Sequence, residues 1–269
     1  MANYPTAPIV KNGDRIGFLG DSITNHGHEL KCGYVNLVMQ GLKDAGITAE
    51  NVNAGIGGHK APDMLARVDA DVLDHDVQIM TLSCGVNDVW HAFYPTPAGV
   101  ALPDYQRDIT AIIDRAQAKG VKVLLFTATM IMEDENGPEN TQLIPYNEFL
   151  RKLAVEKDCI LIDLNELMHK EVAAIRKKFP GIKGNTITID GVHMNPMGNI
   201  MMAKEILKAM GIDEKSIAAS AEKWLELDYT YGLVISMTAG EFIKVAEKGF
   251  AQGMDFCSFA RQSLKDLAK

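Results

Sequence analysis

Short apolar runs alternate along this chain with longer stretches whose apolar positions recur at helical spacing. Arg15 to Leu19 is the first run, and Ile16, Phe18 and Leu19 make it a buried strand that stops at Gly20. Gly33 to Ala45 then lines up Tyr34, Leu37, Val38 and Leu42 on one helical face. Ala49 to Asn53 reads as a short strand, and Pro62 opens a helix carrying Met64, Leu65, Val68 and Val72. Val77 to Ser83 is a third strand. Pro103 to Lys119 is a helix with Tyr105, Ile109, Ile112 and Ala116 inward, closed by Gly120. Val121 to Thr127 is β-branched and apolar enough for a buried parallel strand.

From Ala128 to Asn140 the pattern fails: the stretch is Met-rich, then acidic at Glu133, Asp134, Glu135 and Glu139 around Gly137-Pro138. A loop, solvated at least in part, is expected there. A helix over Gln142 to Lys157, a strand over Cys159 to Asp163 and a helix over Asn165 to Phe179 follow. Lys183 to Ile189 is extended, and Pro196 to Met210 is helical with Ile200, Ala203, Ile206 and Leu207 inward. The alternation predicts an α/β fold, a parallel sheet of five strands between helices, with right-handed crossovers limiting the strand order. Residues 1–210 suffice for that unit. Residues 211–269 are a mainly helical extension. In it, Thr238 and Glu241 have capping-box spacing before Phe242, Val245 and Phe250, and Asp255 can start a helix with Phe259, Leu264 and Leu267. Trp224, Leu225, Tyr229 and Tyr231 make the extension apolar enough to dock on the core or on a partner subunit, so a homo-oligomer stays open.

Composition narrows the function classes. A chain of 269 residues with a net charge of -8 is poorly suited to nucleic acid or an anionic membrane, which reward clusters of Lys and Arg. No run approaches the roughly 20 apolar residues that span a bilayer. Met1 to Gly13 carries prolines and charge instead of an apolar signal core, so a cytoplasmic location is expected. The four cysteines have no paired spacing and read as free thiols in a reducing compartment. Cys84 sits beside a polar cluster, yet a small buried strand residue fits it better than a reactive thiol.

Polar residues gather at four strand or loop ends: Gly20-Asp21-Ser22, Asn53 to Gly58, Cys84 to Asp88, and Asp190-Gly191-Val192-His193 before Asn195-Pro196. Taken singly each has a plain reading. Ser22 alone is a helix cap or part of a phosphate loop; the glycines of the second cluster alone are a tight turn, without a dinucleotide fingerprint. Together they suit nucleophilic catalysis, in which Ser22 needs a base, His193, whose tautomer Asp190 fixes three residues away. Trp90 and His91, with Phe93 and Tyr94, follow the third cluster directly and are expected to line a substrate cleft, core packing being the alternative for Phe93. His26, His28, His59 and His91 are expected in loops near the site; His26-x-His28 lacks a third ligand with support, so neither metal nor cofactor is expected.

The four blocks, in this order over Arg15 to about Met210, resemble those of the SGNH (GDSL) hydrolase superfamily. Gly-Asp-Ser-Ile-Thr and Asn87 to Trp90 are most similar to the carbohydrate acetylesterases of the acetylxylan esterase type. The resemblance implies a flavodoxin-like three-layer α/β/α sandwich with strand order 2-1-3-4-5. It implies a Ser22, Asp190, His193 triad and an oxyanion hole of the Ser22 and Gly58 backbone amides and the Asn87 side chain, with Asp21 and Asp88 holding the loops. The expected activity is removal of a small acyl group, acetyl above all, from an acetylated oligosaccharide through an acyl-enzyme. A lysophospholipase, thioesterase or general carboxylesterase shares such a site. Acyl transfer to a sugar ranks below these, and a non-catalytic binding or assembly module is set against the complete residue set.

Overall fold

The computed structural model describes residues 4–94, 96–231 and 235–267. Five strands, β1 (Arg15–Gly20), β2 (Glu50–Gly55), β3 (Ile79–Leu82), β4 (Lys122–Phe126) and β5 (Ile160–Ile162), form one parallel sheet in the order β2-β1-β3-β4-β5. This is the expected order. The central strands are buried on both faces, which is why they read as unbroken apolar runs: Ile16, Phe18 and Leu19 in β1, all four residues of β3, and Val123 to Phe126 in β4 are buried. Edge strand β2 keeps polar Glu50, Asn51 and Asn53, and only Ala54 and Gly55 at its end are buried.

Helices α1 (Ser22–Glu29), α2 (Tyr34–Asp44), α3 (Ala61–Asp71), α4 (Val86–Trp90), α5 (Leu102–Ala118), α6 (Pro138–Glu156), α7 (Leu164–Lys178) and α8 (Pro196–Ala209) connect and cover the sheet. Tyr34, Leu37, Val38 and Leu42 of α2 are buried, as their spacing requires. Helix α2 packs on α8 so closely that a Cβ on Gly41 would lie 2.4 Å from Leu207. Helix α6 begins at Pro138, four residues before the expected Gln142, because proline suits a first helical turn. The stretch 183–195, expected to be extended as far as Ile189, is instead mostly bends and joins no sheet; its isolated bridges are Lys183 to Met254 and Thr188 to Met194.

The extension holds more structure than its sequence announces. Before the two expected helices, α10 (Ala239–Phe250) and α11 (Phe256–Leu267), come α9 (Glu214–Trp224) and an antiparallel hairpin of β6 (Asp228–Tyr231) and β7 (Ile235–Thr238). The Thr238–Glu241 capping box forms. Buried Trp224, Tyr229, Phe242 and Phe250 join the main core, and the Phe250 ring meets Phe179 at 5.7 Å. The side chains of Tyr231 and Leu267 lie outside the described residues.

Candidate active site

The order reversal of the sheet falls at β1, so the carboxyl ends of β1, β2 and β3 lie side by side at the edge where open α/β sheets place their ligands. Their last residues stand in register, Gly20 opposite Gly55 and Leu19 opposite Leu82, which places the three following loops side by side. Asp21 caps α1, its Oδ1 accepting the Ile23 N–H at 2.9 Å, and Ser22 becomes the first helical residue. The N–H of a first helical residue has no partner within the helix, so that of Ser22 is available to an anion. Gly55 permits the close fit of β2 on α1: a Cβ there would lie 2.4 Å from the Asn25 backbone nitrogen.

His193 lies 171 residues from Ser22 in sequence, and its Nε2 is 2.8 Å from the Ser22 Oγ. Its Nδ1 is 2.7 Å from Asp190 Oδ2. An ionised carboxylate can only accept, so Nδ1 carries the proton and Nε2 is left to accept from the serine hydroxyl. Asp190 is fixed by more than the ring: its Oδ1 accepts the backbone N–H of Val192 and of His193 at 3.0 and 2.9 Å. Burial pushes the Asp190 carboxyl up, but the His193 ring and these two N–H groups outweigh it and hold the group well below the usual carboxylate range. The hydrogen bond to Asp190 raises His193 above the ordinary imidazole value, against the smaller effect of burial.

The other expected residues stand around this pair. Gly57 is next to Ser22, since a Cβ on it would lie 3.8 Å from Ser22 Cβ, and Gly58 follows in left-handed backbone at φ +78, which glycine adopts without cost from a side chain. Asn87 is buried on α4 and donates from Nδ2 to the His59 carbonyl at 3.1 Å, leaving a second N–H on the same nitrogen. Asp21 and Asp88 are buried beneath these loops, and burial pushes both carboxyls up to about 6. Asp88 receives the Ala61 N–H and the Cys84 thiol, which makes it a brace between α3 and α4. Burial drives the Cys84 thiol upward, the opposite of a reactive cysteine.

Trp90 and His91 pack together with ring centroids 5.9 Å apart, and Tyr94 meets Trp90 edge-on at 6.0 Å. Trp90 is half-buried, while Phe93 and Tyr94 are exposed, so Phe93 is not core packing. Trp90 Nε1 and His91 Nδ1 are buried polar atoms with no hydrogen-bond partner among the described residues.

Two placements correct the sequence reading. His26 and His28 are on α1, not in a loop. His26, one helical turn beyond Ser22, lies against His193 with ring centroids 4.6 Å apart, and burial followed by the His193 charge lowers it from the imidazole value. Its i, i+4 spacing from Ser22 was the signal for that contact. Glu133, expected in a solvated loop, is fully buried. His28 faces Asn51, and His59 accepts from Arg67. Among the described residues no three His, Cys, Asp or Glu side chains group as metal ligands would.

The model of the GDSL-like Lipase/Acylhydrolase family matches residues 18–199, the span that holds all four blocks. The chain is similar to an acetylxylan esterase of Geobacillus stearothermophilus, 23% identical over 221 residues that cover 76% of this chain and 97% of that protein. The crystal structure of the acetyl xylan esterase AlAXEase superposes with a TM-score of 0.66 at 35% identity, over 72% of this chain and 98% of that one. Esterase TesA of Pseudomonas aeruginosa is 31% identical over 108 residues, 40% of this chain and 50% of its own.

Proposed function

Because the chain belongs to the GDSL-like Lipase/Acylhydrolase family, we propose that Ser22, His193 and Asp190 are its catalytic triad and that it removes acetyl groups from a xylo-oligosaccharide. The chain is a carboxylic ester hydrolase. The observation that carries the triad is His193, whose two ring nitrogens join Ser22 and Asp190.

In the reaction, Nε2 takes the Ser22 proton as Oγ attacks the acetyl carbonyl. The charge that develops on the carbonyl oxygen meets the backbone N–H groups of Ser22 and Gly58 and the free N–H of Asn87, donors fixed before the reaction begins. Collapse expels the sugar oxygen, which takes the proton back from His193 and leaves an acetyl ester on Ser22. Water, deprotonated by the same nitrogen, repeats the sequence and releases acetate. Asp190 holds the ring in the required tautomer and stabilises the imidazolium that forms at each half-reaction.

The carbohydrate part of the proposal is supported by the acetylxylan and acetyl xylan esterases to which the chain is similar over nearly their whole lengths. Trp90, only half-buried, offers a sugar ring a stacking surface. A general esterase is the second reading, favoured by the exposed apolar Ile56, Phe93 and Tyr94 and by the likeness to Esterase TesA. We further take residues 1–210 as the catalytic unit and 211–269 as an extension that can carry a subunit contact. Cytoplasmic action is consistent with the free thiols of Cys32, Cys84 and Cys159, and no helix among the described residues is long and apolar enough to cross a membrane.

The test is acetate release from acetylated xylo-oligosaccharides beside a 4-nitrophenyl ester series, with wild type and Ser22→Ala. Release from the sugar ester by wild type alone, with aryl-ester rates falling steeply beyond acetyl or propionyl, is the expected result. Rates that rise toward long acyl chains favour the general esterase, and an unchanged Ser22→Ala removes the triad.

A further inference from the structure

We propose that Glu133 is a positioning residue for the catalytic base, holding the Asp190–His193 loop in the place from which His193 reaches Ser22; this rests on the serine mechanism above. Glu133 is fully buried and left-handed at φ +47, beside Met132 at φ +59. Two successive non-glycine residues in that region persist only where the surroundings fix them.

The carboxylate accepts five hydrogen bonds from one short segment. Oε2 takes the Thr186 N–H and hydroxyl, both at 2.7 Å. Oε1 takes the Ile187 N–H at 3.0 Å, the Thr188 N–H at 2.7 Å and the Thr188 hydroxyl at 2.6 Å. Three consecutive N–H groups aimed at one anion form a nest, and an ionised carboxylate, with about four lone-pair sites, is saturated by such a set. Among the described residues no Lys or Arg forms an ion pair with it. These donors belong to a bent stretch that joins no sheet, so Glu133 supplies the acceptors that no ladder provides.

From this anchor two bonds lead to the triad loop. Thr188 Oγ1 accepts the Gly191 N–H at 3.1 Å, and the Met132 N–H donates to the Gly191 carbonyl at 2.8 Å. Gly191 follows Asp190 directly and is thus held by both its backbone groups. The Ile189 N–H closes the turn on the His193 carbonyl at 2.7 Å. On its other side the anchor is fixed to the body of the molecule. Asn140 of α6 accepts the Ile131 N–H and donates to the Ile131 and Asp134 carbonyls, and Arg176 of α7 donates to the Glu133 carbonyl.

Glutamine at this position would turn an NH2 group onto donors that need an acceptor, leaving the loop free to shift without removing any group that touches substrate. The test is 4-nitrophenyl acetate kinetics for Glu133→Gln, Thr188→Val and Thr188→Ser, each made with His193 present and in His193→Ala. With His193 present, Glu133→Gln is expected to lower kcat by about 100-fold, the effect of misplacing a group by about an ångström, with KM unchanged. Thr188→Ser keeps the hydroxyl and should retain the kcat that Thr188→Val loses. In His193→Ala the same changes should have no further effect, because their action passes through that ring. The downfield NMR signal of the His193 Nδ1 proton should weaken or move in Glu133→Gln. Wild-type kcat in folded variants, or equal losses with and without His193, overturns the proposal. Should Glu133→Gln fail to fold, the Thr188 pair decides by the same criteria. If His193→Ala keeps wild-type kcat, the serine mechanism itself fails, an outcome distinct from those in which His193 matters and Glu133 does not.

Discussion

Ser22 is delivered by the end of β1, with β2 and β3 hydrogen-bonded on either side of that strand, whereas Asp190 and His193 stand on a loop outside the sheet. On the serine side, placement follows from backbone ladders, a helix cap at Asp21 and the absence of a side chain at Gly55. On the base side it follows from side-chain hydrogen bonds, above all the five that Glu133 accepts. The first arrangement is cooperative with the fold as a whole, because displacing Ser22 means displacing the sheet. The second can in principle be loosened locally. The two halves of one site can therefore be perturbed separately.

Their electrostatics also have opposite signs. Burial raises Asp21 and Asp88 on the serine side, while hydrogen bonds and the imidazole keep Asp190 low and raise His193 on the base side. The serine side tolerates charge at the cost of stability, and the base side is built to keep it.

The largest separation of the halves should come from Asp190→Asn. Without a carboxylate, Nδ1 loses its reason to carry the proton, and kcat should fall on the order of 10⁴-fold, with the serine-side loops unchanged. Because the base acts in its neutral form, wild-type kcat/KM should rise with pH through a value above the ordinary imidazole range. In Asp190→Asn any residual activity should show that limb at lower pH, since the largest cause of the raised value is gone. A limb that did not move would assign it to another group.

Next in size is Asn87→Ala, on the serine side. Loss of this proposed oxyanion donor should lower kcat by about 10²- to 10³-fold with little change in the pH limb. A variant that shifted the limb as well would show that Asn87 acts on His193, and the two halves would not be separable.

How much of this was visible in the sequence divides along the same line. The Ser22, Gly58 and Asn87 blocks are readable because each follows an apolar run that stops at or near glycine, a local signal that survives without tertiary information; the strand order is implied by the family resemblance, since right-handed crossovers narrow the arrangements without fixing one. Asp190 and His193 were readable through their short spacing. Glu133 was not, because an acidic stretch with Gly137-Pro138 signals exposure, and nothing local shows that Thr186, Ile187 and Thr188, more than fifty residues later, turn their donors toward it. His26 reads as a loop residue because Gly27 breaks the helical pattern; that glycine is required where Tyr34 crosses, a Cβ there lying 2.6 Å from the ring. The hairpin of β6 and β7 was missed because its aromatic residues read as docking surface and carry no strong turn signature. Asp213, which caps α9 by accepting the Ser216 N–H, was a signal that could have been used.

A smaller effect sharpens the electrostatic contrast. Asp21 and Asp88 titrate near 6 in the folded chain, above the unfolded carboxylate range near 4, so the native state holds more protons than the unfolded one between those values. Each then costs stability progressively as pH rises through that window. Asp88→Asn removes one such cost and keeps an acceptor for Ala61. Relative to wild type it should gain on the order of 2–3 kcal/mol in urea unfolding between pH 4 and pH 8. At Asp190 the sign is reversed: its stabilising contribution is present at neutral pH and is lost as the solution is acidified through its depressed value. A pH-independent difference between Asp88→Asn and wild type would mean that Asp88 is already charged without cost.

The most direct measurement is covalent trapping with diethyl 4-nitrophenyl phosphate, followed by mass spectrometry of the tryptic peptide Ile16–Lys31, which carries Ser22. One diethylphosphoryl group on Ser22, appearing at the rate at which esterase activity disappears and far more slowly in His193→Ala, is the expected result. Full inactivation with Ser22 unmodified, or labelling at a rate indifferent to His193, would contradict a nucleophilic serine served by that base.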